Sequence, residues 1–267
     1  MRAYAAVFRM KFTGGLQYRA AALAGLATQF AWGFMELLAF SAFYRADPTA
    51  FPMSFEQTVS YIWLQQAFLA LFMTWFFDRD IFDAILSGSI AYELARPADL
   101  YFRWFAQSAA SRLSRAVLRC FPVLIVAFLL PGPLRMSGPE NPAQLLLFLL
   151  SMSLSLVVVV SFSMLIYISA FHTLSPVGVR LMAAVTADFL AGGTVPLPFF
   201  PPALRTIAEL LPFAAMQNMP LRLYSGHIAG AEAAQGIALQ VFWAAALILL
   251  GRALMKRALK RVTVQGG

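Results

Sequence analysis

QLLLFLLSMSLSLVVVVSFSMLIYISAF, residues 144–171, runs for 28 residues without a charged side chain. A helix rises about 1.5 Å per residue, so this stretch is longer than the roughly 30 Å of hydrocarbon in a bilayer. Lipid cannot satisfy free backbone amides, so a segment of this kind crosses as a helix. Five further stretches have the same character: Ala20 to Phe43, Thr58 to Phe77, Ala116 to Leu130, Val177 to Val195 and Ile237 to Leu254. Ala116 to Leu130 is short in purely apolar terms. It can extend backwards through Arg112, Arg115 and Arg119, which share a helical face and can reach the headgroups. Hydrophobic residues make up 61% of the 267-residue chain and charged ones 12%, a balance no soluble domain of this size needs. The expected fold is all-α integral membrane, with six transmembrane helices.

Six crossings leave both termini on one side, and the basic residues choose that side. Sixteen of the twenty Lys and Arg fall before the first span, between the second and third, at Arg180, or from Arg252 to Arg261. Only Arg45, Arg135, Arg205 and Arg222 fall on the other side. Cytoplasmic N- and C-termini are therefore expected, in a plasma-type membrane, and the net charge of +8 reflects topology. Charges spread along membrane flanks exclude a nucleic-acid partner. The first apolar run is too long for a secretion signal and is expected to stay uncleaved.

Catalytic groups are scarce. His172 and His227 fall on opposite expected faces, and Cys120 lies in a span. Neither a metal site nor an internal disulfide can be assembled from these. None of Lys11, Lys256 and Lys260 sits in a glycine-rich phosphate loop, so the chain is expected to bind no ATP in that manner.

Between the spans, three regions carry pattern. In residues 2–13, Tyr4, Val7, Phe8 and Phe12 share a face opposite Arg2 and Arg9, which suits an amphipathic helix in the membrane interface. Residues 1–19 are thus an interface helix ahead of a six-helix membrane domain, 20–267, with a bend at Gly14-Gly15. Residues 78–115 form a cytoplasmic elbow, interrupted at Ser87-Gly88-Ser89 and at Arg96-Pro97. There Ile81, Phe82, Ile85 and Leu86 make an apolar stripe beside Asp80 and Asp83, suited to a partner surface or to packing beneath the protein's own helices. Residues 196–230 are apolar but broken by Pro196, Pro198, Pro201, Pro202, Pro212 and Pro220. A re-entrant or interfacial helical hairpin satisfies such a segment, with short helices near Pro202 to Leu211 and Ala214 to Tyr224.

Two carboxylates, Glu36 and Asp188, fall inside expected spans, where an isolated anion needs a partner, water or a proton. Either could line a route for cationic or amphipathic compounds, or pair structurally with Arg180 or Arg119. Ala183, Ala187 and Ala191 would let another helix approach beside Asp188.

The run Gly192-Gly193-Thr194-Val195-Pro196-Leu197-Pro198-Phe199-Phe200-Pro201, followed by Leu210-Leu211-Pro212-Phe213, Pro220 and Tyr224-Ser225-Gly226, resembles the region before the last helix in the six-helix permeases of type-2 ABC exporters. The string from Ile85 to Pro97 is similar to the corresponding loop in the branch that includes viologen exporter permeases. The resemblance implies a permease that moves a hydrophobic or amphipathic compound, with cations among the candidates, outward across the bacterial inner membrane. It implies that ATP and magnesium are bound by a separate ATP-binding subunit, so this chain is not itself an enzyme and holds no cofactor. It implies contact with that subunit through Asp80, Ile81, Asp83, Ile85, Gly88, Tyr92, Glu93, Arg96 and Pro97. A gate at Gly193, Pro196, Pro201 and Pro212 and a second permease subunit, related but non-identical, complete what it implies. Two rival readings are an ion-coupled secondary transporter working through Glu36 or Asp188, and an intramembrane lipid-acting enzyme using His172, Ser175 or Asp188.

Overall fold

The described residues form twelve α-helices, in the order α1 (Arg2–Gly15), α2 (Arg19–Ala46), α3 (Phe55–Ala67), α4 (Leu69–Phe72), α5 (Arg79–Leu86), α6 (Ile90–Leu94), α7 (Leu100–Leu129), α8 (Pro142–Ser169), α9 (Val177–Ala191), α10 (Pro202–Leu210), α11 (Asn218–Tyr224) and α12 (Gly230–Leu259). The computed structural model describes residues 2–173 and 175–261, and no strand occurs among them. The outermost residues of the expected domains, Met1 and 262–267, lie outside the described residues.

Local chemistry sets the helix starts. Ser54 and Gln57 form a reciprocal capping box at α3, and the Asn141 side chain accepts from the Gln144 amide at α8, where Pro142 fills the first helical position. Asp78 and Asp99 cap α5 and α7 in the same way. The Asp99 amide also donates to the Tyr4 hydroxyl at 2.9 Å, which ties α1 to the root of α7.

By length and composition α2, α8 and α12 can each cross a membrane. The other three expected spans are less regular. The second is broken: α3 stops at Ala67, α4 adds a single turn, and the chain leaves helix at Met73. The fifth ends at Ala191, because Gly192 takes a left-handed φ of +83° that a side chain would resist, and its amide closes on the Phe189 carbonyl. The third does extend backwards, as α7, through Arg112 to Leu100. Within the hairpin, α10 begins at Pro202, whereas α11 begins at Asn218 instead of Ala214 because a succession of turns occupies residues 211–217.

Two apolar centres hold these pieces. One joins α2, α3, α4, α7 and α8 around Leu37, Trp63, Val123 and Phe148. The other gathers Phe77, Ile81, Phe82, Tyr101, Trp104 and Tyr167 with Met255 and Ala258 of α12, so the elbow and the end of α12 share one pole of the bundle, where Tyr4 joins α1 to α7. The hairpin, α10 to α11, occupies the opposite pole.

Candidate functional site

At the elbow pole, α5 and α6 turn about Gly88, whose φ of +76° suits glycine. Ile81 and Phe82 are buried against Phe77 and Tyr167, so the inner half of the apolar stripe packs beneath the protein's own helices. Glu93 also faces inward, pairing with Arg103 and accepting from the Trp104 indole. Ile85 is half-buried, while Asp83, Leu86, Gly88, Tyr92, Arg96 and Pro97 are exposed. Asp80 is exposed too and accepts a 2.8 Å hydrogen bond from Lys11 of α1, which links the interface helix to the elbow.

The root of the elbow is Arg112, which the sequence reading left near the headgroups. It is buried instead, at 1% exposure, and its guanidinium donates to the carbonyls of Leu71 (3.4 Å), Met73 (2.6 Å) and Phe76 (3.0 Å) and to the Ser163 hydroxyl (3.0 Å). The break after α4 leaves carbonyls without helical partners, and a five-donor guanidinium is the side chain that can satisfy several at once. Arg112 thereby fastens the strap 73–78, which leads into α5, to α7 and α8.

Inside the bundle, a polar seam lies between α2, α3, α9 and the hairpin. Glu36 lies near the Gln66 side chain and Asp188. Asp188 lies near the Thr194 side chain, and its carboxylate fills the space where a Cβ on Gly193 would sit. A side chain at Gly193 would have to displace the Asp188 carboxylate. The Gly193 carbonyl accepts from Gln65 at 2.7 Å, and the Gly192 carbonyl accepts from Gln217 at 3.1 Å, which locks the end of α9 to α3 and the hairpin. The buried Oε1 atoms of Gln29 and Gln65 have no hydrogen-bond partner. Among the described residues no ion pair reaches Glu36 or Asp188. Arg180 stacks over Phe77 and Phe82 instead, and Arg119 packs against Gly25. The seam thus presents oxygens of two carboxylates and two amides with no cation to meet them. The sequence reading singled out Glu36 and Asp188 but passed over Gln29, Gln65, Gln66 and Gln217; amides inside apolar runs were the available signal.

The four expected gate residues lie at one junction without touching as a cluster. Gly193 joins the seam, buried Pro196 opens the 3₁₀ turn Leu197–Phe199, exposed Pro201 precedes α10, and buried Pro212 starts the turns before α11. At the outer rim Arg222 bridges Glu209 and Glu232, each at 2.8 Å. Beside it His227 has its pKa pushed down to about 4, chiefly by burial and then by the Arg222 charge.

No group of three His, Cys, Asp or Glu that could hold a metal occurs among the described residues, and Cys120 is buried and free. His172, Ser175 and Asp188 form no nucleophile and base pair linked by a hydrogen bond. The family model described as ABC-2 family transporter protein matches residues 30–266. No curated protein and no solved structure matches the chain.

Proposed function

The chain belongs to the ABC-2 transporter family, and we propose that it is the membrane-spanning subunit of an exporter for hydrophobic or amphipathic compounds, cations above all. As a permease it works with an ABC ATP-binding subunit. In the proposed arrangement the termini and the elbow face the cytoplasm of the bacterial inner membrane. ATP and magnesium are held by the partner, and a second, related but non-identical permease completes the route.

The observation that carries this reading is the elbow. Its outer surface, with Asp83, Leu86, Tyr92, Arg96 and Pro97, is free, while its inner surface is fixed by Ile81, Phe82 and the strap on Arg112. Closure of nucleotide-binding domains against the outer surface would push a rigid lever whose root is hydrogen-bonded to α7 and α8. A flexible loop would absorb that displacement; a lever with a buried root passes it to the helices.

Support for a cationic cargo comes from the seam. Glu36, Asp188 and the free amide oxygens of Gln29 and Gln65 are acceptors facing a low-dielectric surround, where a positive head group would be strongly favoured. The hairpin closes over that seam through Gln217 and Gly193, so rearranging the hairpin would open it outward.

Purification in mild detergent tests the partnership: an ATP-binding subunit should co-elute with the intact chain. Efflux of a lipophilic cation should require ATP, survive collapse of the proton gradient, and fall in Glu36→Gln and Asp188→Asn variants present at normal levels. Transport that stops with the proton gradient while ATP remains would favour the ion-coupled reading instead. Uphill pumping by this chain alone, reconstituted with no nucleotide hydrolase, would end the proposal.

A further inference from the structure

Between α1, the turn after it at residues 16–18, the strap 73–78 and α7 lies a cavity of about 700 Å³ lined by both apolar and basic side chains. Four cations reach it, Lys11, Arg79, Arg115 and Arg119, against one carboxylate, Asp78. Lys11 is already committed, at 2.8 Å from Asp80 and 3.9 Å from Asp78. Asp78 is further engaged by the Gln107 amide at 2.7 Å. What remains is an unneutralised group of arginines.

Arg115 and Arg119 sit one turn apart on α7, a like-charge spacing that disfavours a helix unless an anion lies between. Neither is within ion-pair distance of a carboxylate among the described residues. Arg115 stacks on Phe76, with its guanidinium carbon 3.3 Å from the ring centre. Arg119 presses its guanidinium against α2 where Gly25 has no side chain; a Cβ there would meet it at 2.7 Å. The Arg119 Nε is buried and has no hydrogen-bond partner. Two guanidiniums are thus held in place by packing, with donors unspent, at the edge of an open space.

Much of the rest of the wall is apolar, with Met10, Tyr18, Met73, Phe76 and Leu118 beside the polar Gln17, Ser111 and Ser114, and α1 is the amphipathic helix that suits the membrane interface. A ligand that satisfies both halves of the wall has a phosphate at one end and hydrocarbon at the other. We propose that this cavity holds the phosphodiester headgroup of an anionic lipid, clamped by Arg115 and Arg119 with Arg79 beside them. Bidentate guanidinium donors match phosphate oxygens, and the apolar wall takes the upper acyl chain. A bound lipid would brace α1 against the strap from which the elbow hangs. The inference needs only a membrane location and does not rest on the exporter reading.

Native mass spectrometry of the full chain, released from detergent with added phosphatidylglycerol or phosphatidylcholine, tests it. The wild-type chain should retain one phosphatidylglycerol under conditions that strip phosphatidylcholine, and millimolar inorganic phosphate should not displace it. Each arginine near an anionic headgroup is worth about fivefold in affinity, so the Arg115→Gln, Arg119→Gln double variant should bind about thirtyfold more weakly. Gly14 lines the cavity, and its Cβ would meet nothing within 4 Å, so Gly14→Glu brings a carboxylate into the space without repacking α7 and should also abolish retention. That variant decides the matter if the double variant fails to fold. Equal retention of both lipids, or of phosphatidylglycerol by wild type and Gly14→Glu alike, would overturn the proposal. Displacement by inorganic phosphate would assign the arginines to a free phosphate and overturn the lipid.

Discussion

The elbow and the hairpin are both built from short, interrupted helices, but they differ in where their backbone is satisfied. Residues 212–221 of the hairpin are almost all buried, and Gln217, Asn218 and the Gly192–Gly193 carbonyls connect it to α3 and α9. Along α5 and α6 of the elbow, by contrast, only Ile81, Phe82 and Ile90 are buried, and much of the surface there is free. Proline interruptions inside a bundle make a plug whose every polar atom needs a partner from the protein. Glycine and serine interruptions at its pole make a lever that solvent can serve. The same device gives a buried plug at one end and an exposed surface at the other.

That contrast is broken most severely at Arg112, which alone serves the strap's free carbonyls, whereas the hairpin's are served by several residues. Replacing it with Met orphans the carbonyls of Leu71, Met73 and Phe76 together. Each buried acceptor left unpaired costs about 1–3 kcal/mol, partly offset by relief of burying the charge, so a net loss of about 3 kcal/mol is expected. Thermal unfolding in detergent should show it, and Arg112→Lys, with three donors in place of five, should recover only part. If Arg112→Met melts like wild type, the strap is not held in the way described.

In the hairpin the load is shared, so single losses should be smaller. Gln217→Leu removes one donor from the Gly192 carbonyl and is expected to cost about 1–2 kcal/mol by the same assay. A larger effect would mean the hairpin hangs on one bond after all. Acid should act at this pole. The folded pKa of His227 is about 4, below its ordinary 6.5, so the folded state favours the neutral ring. The contribution from this group is complete above pH 6.5, declines as pH falls, and is gone below about 4. Arg222 and Arg205 oppose the protonated ring and Glu232 favours it, with burial outweighing all three. Hydrogen exchange at residues 218–228 should therefore rise between pH 6.5 and 4, and His227→Asn should flatten that dependence.

The legible parts of this fold were those with local causes. A charge-free run such as 144–171 can do little else than become α8, Pro201-Pro202 fixes the start of α10, and Ser87-Gly88-Ser89 separates α5 from α6. What escaped the sequence had distant causes. Nothing between Leu64 and Phe77 signals that the helix ends at Phe72, because the residue that makes the ending tolerable, Arg112, lies on another helix. The seam was half visible for the same reason: Glu36 and Asp188 stand out by charge, whereas Gln65 and Gln217 acquire meaning only when Gly192 and Gly193 are placed against them. Carbonyl groups have no letter in a sequence, so residues recruited to serve them look ordinary.

The smallest expected effect on stability is at the elbow's outer surface, and it is the most informative about function. Tyr92 is 77% exposed and Leu86 50%, large apolar side chains on a pole that carries charge pairs. Truncating both to Ala removes almost no internal contact, so the melting temperature should shift by no more than the roughly 0.5 kcal/mol typical of surface changes. If the elbow is a docking lever, the same double variant should lose co-elution of the ATP-binding subunit while the isolated chain stays folded, because exposed aromatic and aliphatic anchors carry most of an interface's energy. The hairpin offers the matched control: Ile207→Ala, at a residue 59% exposed on α10, should leave both stability and co-elution unchanged. Retained co-elution in the elbow variant, with loss in the hairpin one, would reverse the assignment of the two poles and with it the direction in which the lever is read.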